Sequence, residues 1–255
     1  MHFCVLNSKT LFSVILAIVA AVLLSGSIGG MTSAQVFFGY STRLVPVYEV
    51  ETTEKKVAIS FDAAWGADKT QGIIDILKEY NATATFFLVG FWIDKYPEMV
   101  KAIDEAGMEI GNHSLTHPDL TTVSQEKLKE EIASVNQQIE EITNKPVKVF
   151  RCPYGAYNNN VVNMTMQEGL LPVQWSVDSL DWKGISALDI TTRIISNVKN
   201  GSIILCHNNA DNILDALVMV LDKLTKEGYK VVSVGELVMF ENYSIDRNGV
   251  QHQSI

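Results

Sequence analysis

Between residues 57 and 234, short runs of β-branched and aromatic residues alternate with longer amphipathic stretches, and this alternation limits the fold more than any other feature of the chain. The short runs fall at 57–61, 83–89, 108–111, 147–150, 172–177, 202–206 and 230–234, and each reads as a strand, about seven in all. The stretches 71–80, 97–106, 125–144, 188–198 and 212–227 have helical patterning, and Gly107, Gly169, Gly201 and Gly228 sit at C-cap-like positions. Such alternation calls for right-handed βαβ crossovers and a parallel sheet, either closed as a barrel or open and doubly wound.

The polar residues decide between these two. Five clusters lie at, or just past, the C-terminal ends of five strands: Ser60-Phe61-Asp62, His113-Ser114-Leu115-Thr116-His117, Arg151-Cys152-Pro153-Tyr154-Gly155, Asp178-Ser179-Leu180-Asp181-Trp182 and Leu205-Cys206-His207. An open sheet scatters strand ends along a line, whereas a barrel gathers them at one mouth. The expected fold is therefore α/β, an irregular TIM-like barrel of about seven parallel strands. Taken singly, each cluster has an ordinary explanation. Asp62 suits a turn or helix cap, Arg151 a surface ion pair and His207 a core histidine. The spacing of His113 and His117 places two imidazoles on one face of a helical turn, as metal ligands require, yet such a pair alone is more often incidental. Trp65, Trp92, Trp175 and Trp182 suit core or rim packing, and two of them flank polar clusters where they can stack on sugar faces. The ordered recurrence of all five clusters at strand ends is what these ordinary explanations leave unexplained.

With 255 residues, 47% of them hydrophobic, the chain is long enough for one large core and too apolar to be disordered. A formal net charge of −9 offers no basic surface for a phosphate backbone, so nucleic acid is excluded as a partner. No protein partner is evident. The three cysteines, Cys4, Cys152 and Cys206, form neither an even framework nor a C-x-x-C pair, although a Cys152–Cys206 bridge stays open. Residues 11–24 are almost uninterruptedly apolar, preceded by Lys9 and followed by a Ser/Gly-rich stretch to Gly30, which reads as an export signal. Two outcomes are compatible with it: a single membrane anchor that keeps the domain outside the cytoplasm, or secretion after cleavage near Ala34. The organisation expected is a signal peptide or membrane anchor over 1–34, a linker and hairpin arm over 35–54, the catalytic domain over 55–241 and a polar C-terminal tail over 242–255.

In content and order these clusters resemble the motifs of the NodB-homology polysaccharide deacetylases of carbohydrate esterase family four, over roughly 55–241. The apolar N-terminal segment and the run Phe61-Asp62-Ala63-Ala64-Trp65-Gly66 are most similar to the sporulation-type, PdaB-like branch. The resemblance implies an irregular β/α barrel that hydrolyses N-acetyl groups of amino sugars in a cell-wall glycan, with peptidoglycan first and chitin-like oligomers second. It implies that His113 and His117 hold a divalent metal, zinc by preference, that Asp62 is the general base and that Arg151 keeps it ionised. It further implies that the Tyr154 N–H stabilises the oxyanion, that His207, tuned by Asp181, protonates the leaving amine, and that Leu205 and Trp182 wall the acetyl pocket. In one position the chain departs from the pattern. The first motif of the family runs Thr-Phe-Asp-Asp-Gly, with the second carboxylate as third metal ligand, and Ala63 stands there. Metal binding is then expected to be weak or lost unless Asp68, Asp119 or Asp62 itself reaches the metal. The alternative function is a glycan-binding barrel without efficient chemistry.

Overall fold

The computed structural model describes residues 43–254. The expected signal or anchor segment, the first part of the linker and Cys4 lie outside the described residues. Among the described residues no helix is long and apolar enough to cross a membrane.

In chain order the elements are β1 (Glu49–Val50), β2 (Lys56–Ala63), α1 (Thr70–Glu79), β3 (Thr85–Leu88), α2 (Gly90–Lys95), α3 (Pro97–Glu105), β4 (Glu109–Asn112), α4 (Gln125–Thr143) and β5 (Val149–Phe150). There follow α5 (Asn159–Gln167), β6 (Leu171–Pro172), β7 (Val177–Asp178), α6 (Ala187–Asn197), β8 (Ile203–His207), α7 (Ile213–Lys226), β9 (Lys230–Val232), α8 (Val234–Leu237), β10 (Tyr243–Ile245) and β11 (Val250–Gln253). Every expected strand and helix is present. Three helices were not expected: α2 and α8 are only six and four residues long, too short to show a period, and α5 opens on Asn-Asn and reads as loop, yet the Asn158 side chain caps its first turn through the Val161 N–H.

The large sheet is parallel throughout, in the order β6-β5-β4-β3-β2-β8-β7. The first half of β2 pairs with β9 and its second half with β3, while β8 lies along its other side. The two edge strands, β6 and β7, are consecutive in the chain. Between them the backbone bends, with Val173 N–H donating to Phe150 C=O at 2.9 Å and Ser176 N–H to Ile203 C=O at 3.0 Å. The run expected as a single strand over 172–177 is thus the segment that closes the irregular barrel, touching both edges in turn.

Strand alternation creates two cores, since successive side chains point to opposite faces. Val57, Ile59, Phe61 and Ala63 of β2 pack with Phe86, Phe150, Ile204 and Cys206 against the helices. Ala58, Phe87, Val149, Ile203 and Val232 fill the opposite face, inside the barrel. Burying each large apolar side chain contributes about 1.5–3 kcal/mol. Cys152 and Cys206 are buried free thiols, so the bridge between them is not formed.

The expected hairpin arm takes another form. Glu49 and Val50 pair in parallel with Val250 and Gln251, and β10 pairs antiparallel with β11, so arm and tail build one three-stranded sheet. A partner two hundred residues away is invisible to local patterning.

Candidate active site

The parity that fills the barrel also aims its strand ends. Ala58 and Ser60 precede Asp62 on the inner face of β2, Val149 precedes Arg151, and Ile203 and Leu205 precede His207. These ends border a cavity of about 680 Å³ lined by Asp62, His113, His117, Tyr154, Asp181 and His207 among others. Trp182 and Leu205 line it too. Arg151 does not; it is fully buried and lies beneath Asp62.

Arg151 holds the base side of the cavity. Its Nη1 donates to Asp62 Oδ1 at 2.8 Å and its Nη2 to the Gln174 carbonyl at 3.1 Å, while the guanidinium lies 4.1 Å from the centre of the Phe87 ring. The other Asp62 oxygen stands 3.4 Å from His113 Nε2. Burial works to raise the Asp62 pKa and is the largest single influence. Electrostatic pull from His113, Arg151 and His207, with the Arg151 hydrogen bond, outweighs it, so the carboxyl stays below its ordinary range and ionised. His113 Nδ1 lies 2.7 Å from the Arg151 carbonyl, an acceptor, which assigns the proton to Nδ1 and leaves the Nε2 lone pair facing Asp62. Burial holds the His113 pKa below its ordinary value.

His113 and His117 do meet, with ring centroids 5.0 Å apart, but not on a helical turn. The chain doubles back between them because Ser114 (φ 68°) and His117 (φ 58°) adopt left-handed backbone. Asn112 Oδ1 accepts from Ser114 N–H at 2.8 Å, and Ser114 Oγ accepts from His117 N–H at 3.1 Å. Glu131 of α4, fully buried, accepts from Thr116 N–H at 2.7 Å and from its hydroxyl at 2.6 Å. Glu131 was not among the expected site residues. Its signal is an acid set in the apolar stripe Leu128, Ile132, Val135 and Ile139, where only a paired carboxylate is tolerated.

Two neutral imidazoles are suitable donors for a borderline-soft divalent cation. Burial, reinforced by the second imidazole, His113, lowers His117 to about 4, and its Nδ1 is buried without a hydrogen-bond partner. The third ligand is where the fit weakens. Ala63 is fully buried on the helix-facing side of β2. Neither Asp68 nor Asp119 lines the cavity, and Asp119 Oδ1 is engaged by the Thr121 N–H at 2.9 Å and hydroxyl at 2.6 Å. Among the described residues no group of three His, Cys, Asp or Glu side chains is arranged as a metal centre. Asp62 Oδ2 remains the carboxylate oxygen beside His113.

The acid side is complete. His207 Nδ1 lies 2.7 Å from Asp181 Oδ1, and Asp181 Oδ2 accepts from the His207 N–H at 2.7 Å. Burial acts to lower the His207 pKa and is the largest influence, but Asp181, Asp62 and Asp178 together overcome it and raise the pKa above its ordinary value. Tyr154 (φ 59°) and Gly155 (φ 66°) turn the oxyanion-loop candidate back on itself, and a Cβ on Gly155 would stand 2.9 Å from Trp175. The loop leaving β2 is pinned at the Gly66 carbonyl, which accepts from Trp92 Nε1 at 2.7 Å and Asn208 Nδ2 at 2.9 Å. Asn208 was missed because an Asn pair after a histidine reads as an ordinary turn.

Comparison with known proteins identifies the family and the fold. The polysaccharide deacetylase family profile matches residues 49–173. The peptidoglycan-N-acetylglucosamine deacetylase of Bacillus cereus is 34% identical over 76% of this chain and 93% of its own length. An uncharacterised Bacillus subtilis protein, YlxY, is 31% identical over 76% of this chain, and the match spans only 60% of YlxY. Among solved structures, wild-type BA3943 of Bacillus anthracis, a CE4 family pseudoenzyme, superposes with a TM-score of 0.74 at 30% identity, covering 83% of this chain and 73% of its own. A BA3943 mutant with restored enzymatic activity superposes equally, at a TM-score of 0.74 and 34% identity, over 76% of this chain and 71% of its own.

Proposed function

Because the chain belongs to the polysaccharide deacetylases of carbohydrate esterase family four, we propose that it hydrolyses N-acetyl groups of amino sugars in peptidoglycan. One observation carries the reading: Asp62, paired with the Arg151 guanidinium, and His207, paired with the Asp181 carboxylate, come from paired positions on β2 and β8 and share one cavity, the first with its pKa lowered and the second with its pKa raised. Two titratable groups pushed apart in this way are a general base and a general acid. Asp62 takes a proton from the attacking water as its oxygen bonds to the acetyl carbon, and Arg151 keeps the carboxylate oriented. The Tyr154 N–H stabilises the developing oxyanion. As the C–N bond breaks, His207 gives its proton to the nitrogen, and acetate and a free amine result. Leu205 and Trp182 wall the space for the acetyl methyl. His113 and His117 would hold a divalent cation, zinc by its donor preference, which when bound supplies Lewis-acid polarisation of the carbonyl.

The run Phe61-Asp62-Ala63-Ala64-Trp65-Gly66 supports placement in the sporulation-type, PdaB-like branch, and the apolar segment 11–24 supports export, with the domain at work outside the cytoplasmic membrane, tethered or released. Ala63, together with the likeness to a pseudoenzyme, favours a second reading, a barrel that binds glycan without turning it over.

Acetate release from N-acetylglucosamine oligomers by the full chain, titrated with zinc or cobalt, separates the two. Release is expected, and Asp62→Asn is expected to lower it about 10²-fold or more. Binding without release at every metal concentration would overturn the catalytic reading in favour of the second. Ala63→Asp sharpens the metal question. Without metal the new carboxylate is buried and the variant unfolds at a lower temperature than the parent. With zinc its Tm is expected to rise by more than the parent's, whereas an equal rise would exclude position 63 from the metal.

A further inference from the structure

Two aromatic residues beside the cavity have no part in the chemistry above. Trp65 is 64% exposed and Phe91 38% exposed, their rings 6.3 Å apart and inclined at 46°. Large aromatic side chains are usually turned inward, so a pair held in water at a cavity mouth marks a surface kept for something else. Neither ring is out through loose packing. Trp65 lies between Ala64, which is buried, and Gly66, whose carbonyl is bonded by both Trp92 and Asn208. Phe91 is the second residue of α2, and that turn is tied to the histidine loop by Gly90 N–H on Ser114 C=O at 3.0 Å and Phe91 N–H on Leu115 C=O at 3.3 Å. Trp65 lines the cavity and meets His117 edge to face at 5.2 Å, while Phe91 carries the aromatic surface beyond the cavity rim.

We propose that Trp65 and Phe91 form a stacking subsite for the uncharged ring of the sugar next to the one whose acetyl group enters the cavity. The inference rests on the glycan reading of the cavity but not on turnover. The charge of the surroundings argues for this occupant. Asp62, Asp178, Asp181 and Asp211 line the cavity, and the Arg151 guanidinium is buried and spent on Asp62, so a polyanionic ligand is repelled. A pyranose presents a neutral face of C–H groups, which an aromatic face accepts through dispersion and its negative quadrupole. Two rings inclined to each other at the same rim offer such a face at more than one angle, which suits a polymer that continues away from the reacting sugar.

The test uses the full chain in metal-free buffer, where hydrolysis does not intrude, with N-acetylglucosamine and its oligomers of two to four sugars titrated calorimetrically. The parent is expected to bind oligomers more tightly than the monosaccharide. Trp65→Ala is expected to remove most of that gain, about tenfold in Kd for the longest oligomer, the scale of one lost aromatic stack. Phe91→Ala should remove less, and Trp65→Phe should restore most of the gain. Because both side chains are exposed, circular dichroism and Tm are expected to match the parent. A gain with length that survives Trp65→Ala would overturn the subsite while leaving the glycan reading in place. Failure of the parent to bind any oligomer would overturn both. Length-dependent, Trp65-dependent binding without acetate release would uphold the subsite and remove only the catalysis.

Discussion

His117, in the loop after β4, and His207, at the end of β8, line the same cavity, and their surroundings shift their proton affinities in opposite directions. Burial opposes charge on both rings. For His117 a second imidazole, His113, adds to that opposition and the ring falls to about 4. For His207 the Asp181 hydrogen bond and charge, with Asp62 and Asp178 behind them, reverse the effect of burial. Exposure therefore does not set what a histidine does in this barrel; the neighbour on its second nitrogen and the count of nearby carboxylates do. A ring whose proton affinity is lowered is fit to donate a lone pair, and a ring whose proton affinity is raised is fit to hold a proton and pass it on.

Asp62 stands between the two histidines and its charge acts on both, so the substitution that disturbs it most should have the largest effect. Arg151→Leu leaves the buried carboxylate without its guanidinium, and a loss of about 3–5 kcal/mol is expected in urea unfolding at neutral pH. The sign with pH is set by the lowered Asp62 pKa. The ion pair contributes above the unfolded carboxyl pKa and is lost as pH falls through the folded one, so parent and variant should converge in acid. A gap that stays constant with pH would trace the loss to packing on Phe87 instead.

Glu131→Ala, expected next in size, acts on the His117 side alone. It strips the Thr116 N–H and hydroxyl of their partner and should lower stability by about 1–3 kcal/mol while broadening the His117 ring resonances. Glu131→Gln keeps one acceptor and should fall between. Unchanged His117 resonances in a destabilised Glu131→Ala protein would mean that the loop is held by other contacts.

The smallest effect is the most direct test of the comparison. In metal-free protein, His117 binds its proton less readily when folded, so its contribution falls as pH drops from 6.5 towards about 4, and His117→Gln should flatten that slope. His207 runs the other way. Its raised pKa contributes stability below the unfolded value, and that contribution disappears as pH rises through the folded one. Proton NMR should show the two rings titrating on opposite sides of 6.5, and Asp181→Asn should bring His207 down. If both rings titrate together near 6.5, the contrast between the two sides of the cavity does not exist.

Much of this architecture is written locally along the chain. Strand runs, helical stretches and glycine caps are read from side-chain period and backbone freedom, which act over a few residues. The same period of two that buries Ala58, Val149 and Ile203 inside the barrel points Asp62, Arg151 and His207 to its mouth, which is why those site residues were legible before any fold was known. The spacing of His113 and His117 was legible too, but its reason was not, since left-handed backbone at Ser114 and His117 replaces the helical turn that the spacing suggests. Other features were beyond local reading because their partners are distant: the bend at 173–176 that closes the barrel, the pairing of β1 with β11, and the hold of Glu131 on Thr116. Local pattern alone places these groups at the strand ends and shows that Ala63 leaves the second carboxylate out of the first motif. How tightly each of those groups holds its proton is set by the folded arrangement, because a proton's affinity depends on distances such as that from Asp62 to Arg151, 89 residues apart in the chain and 2.8 Å apart in space.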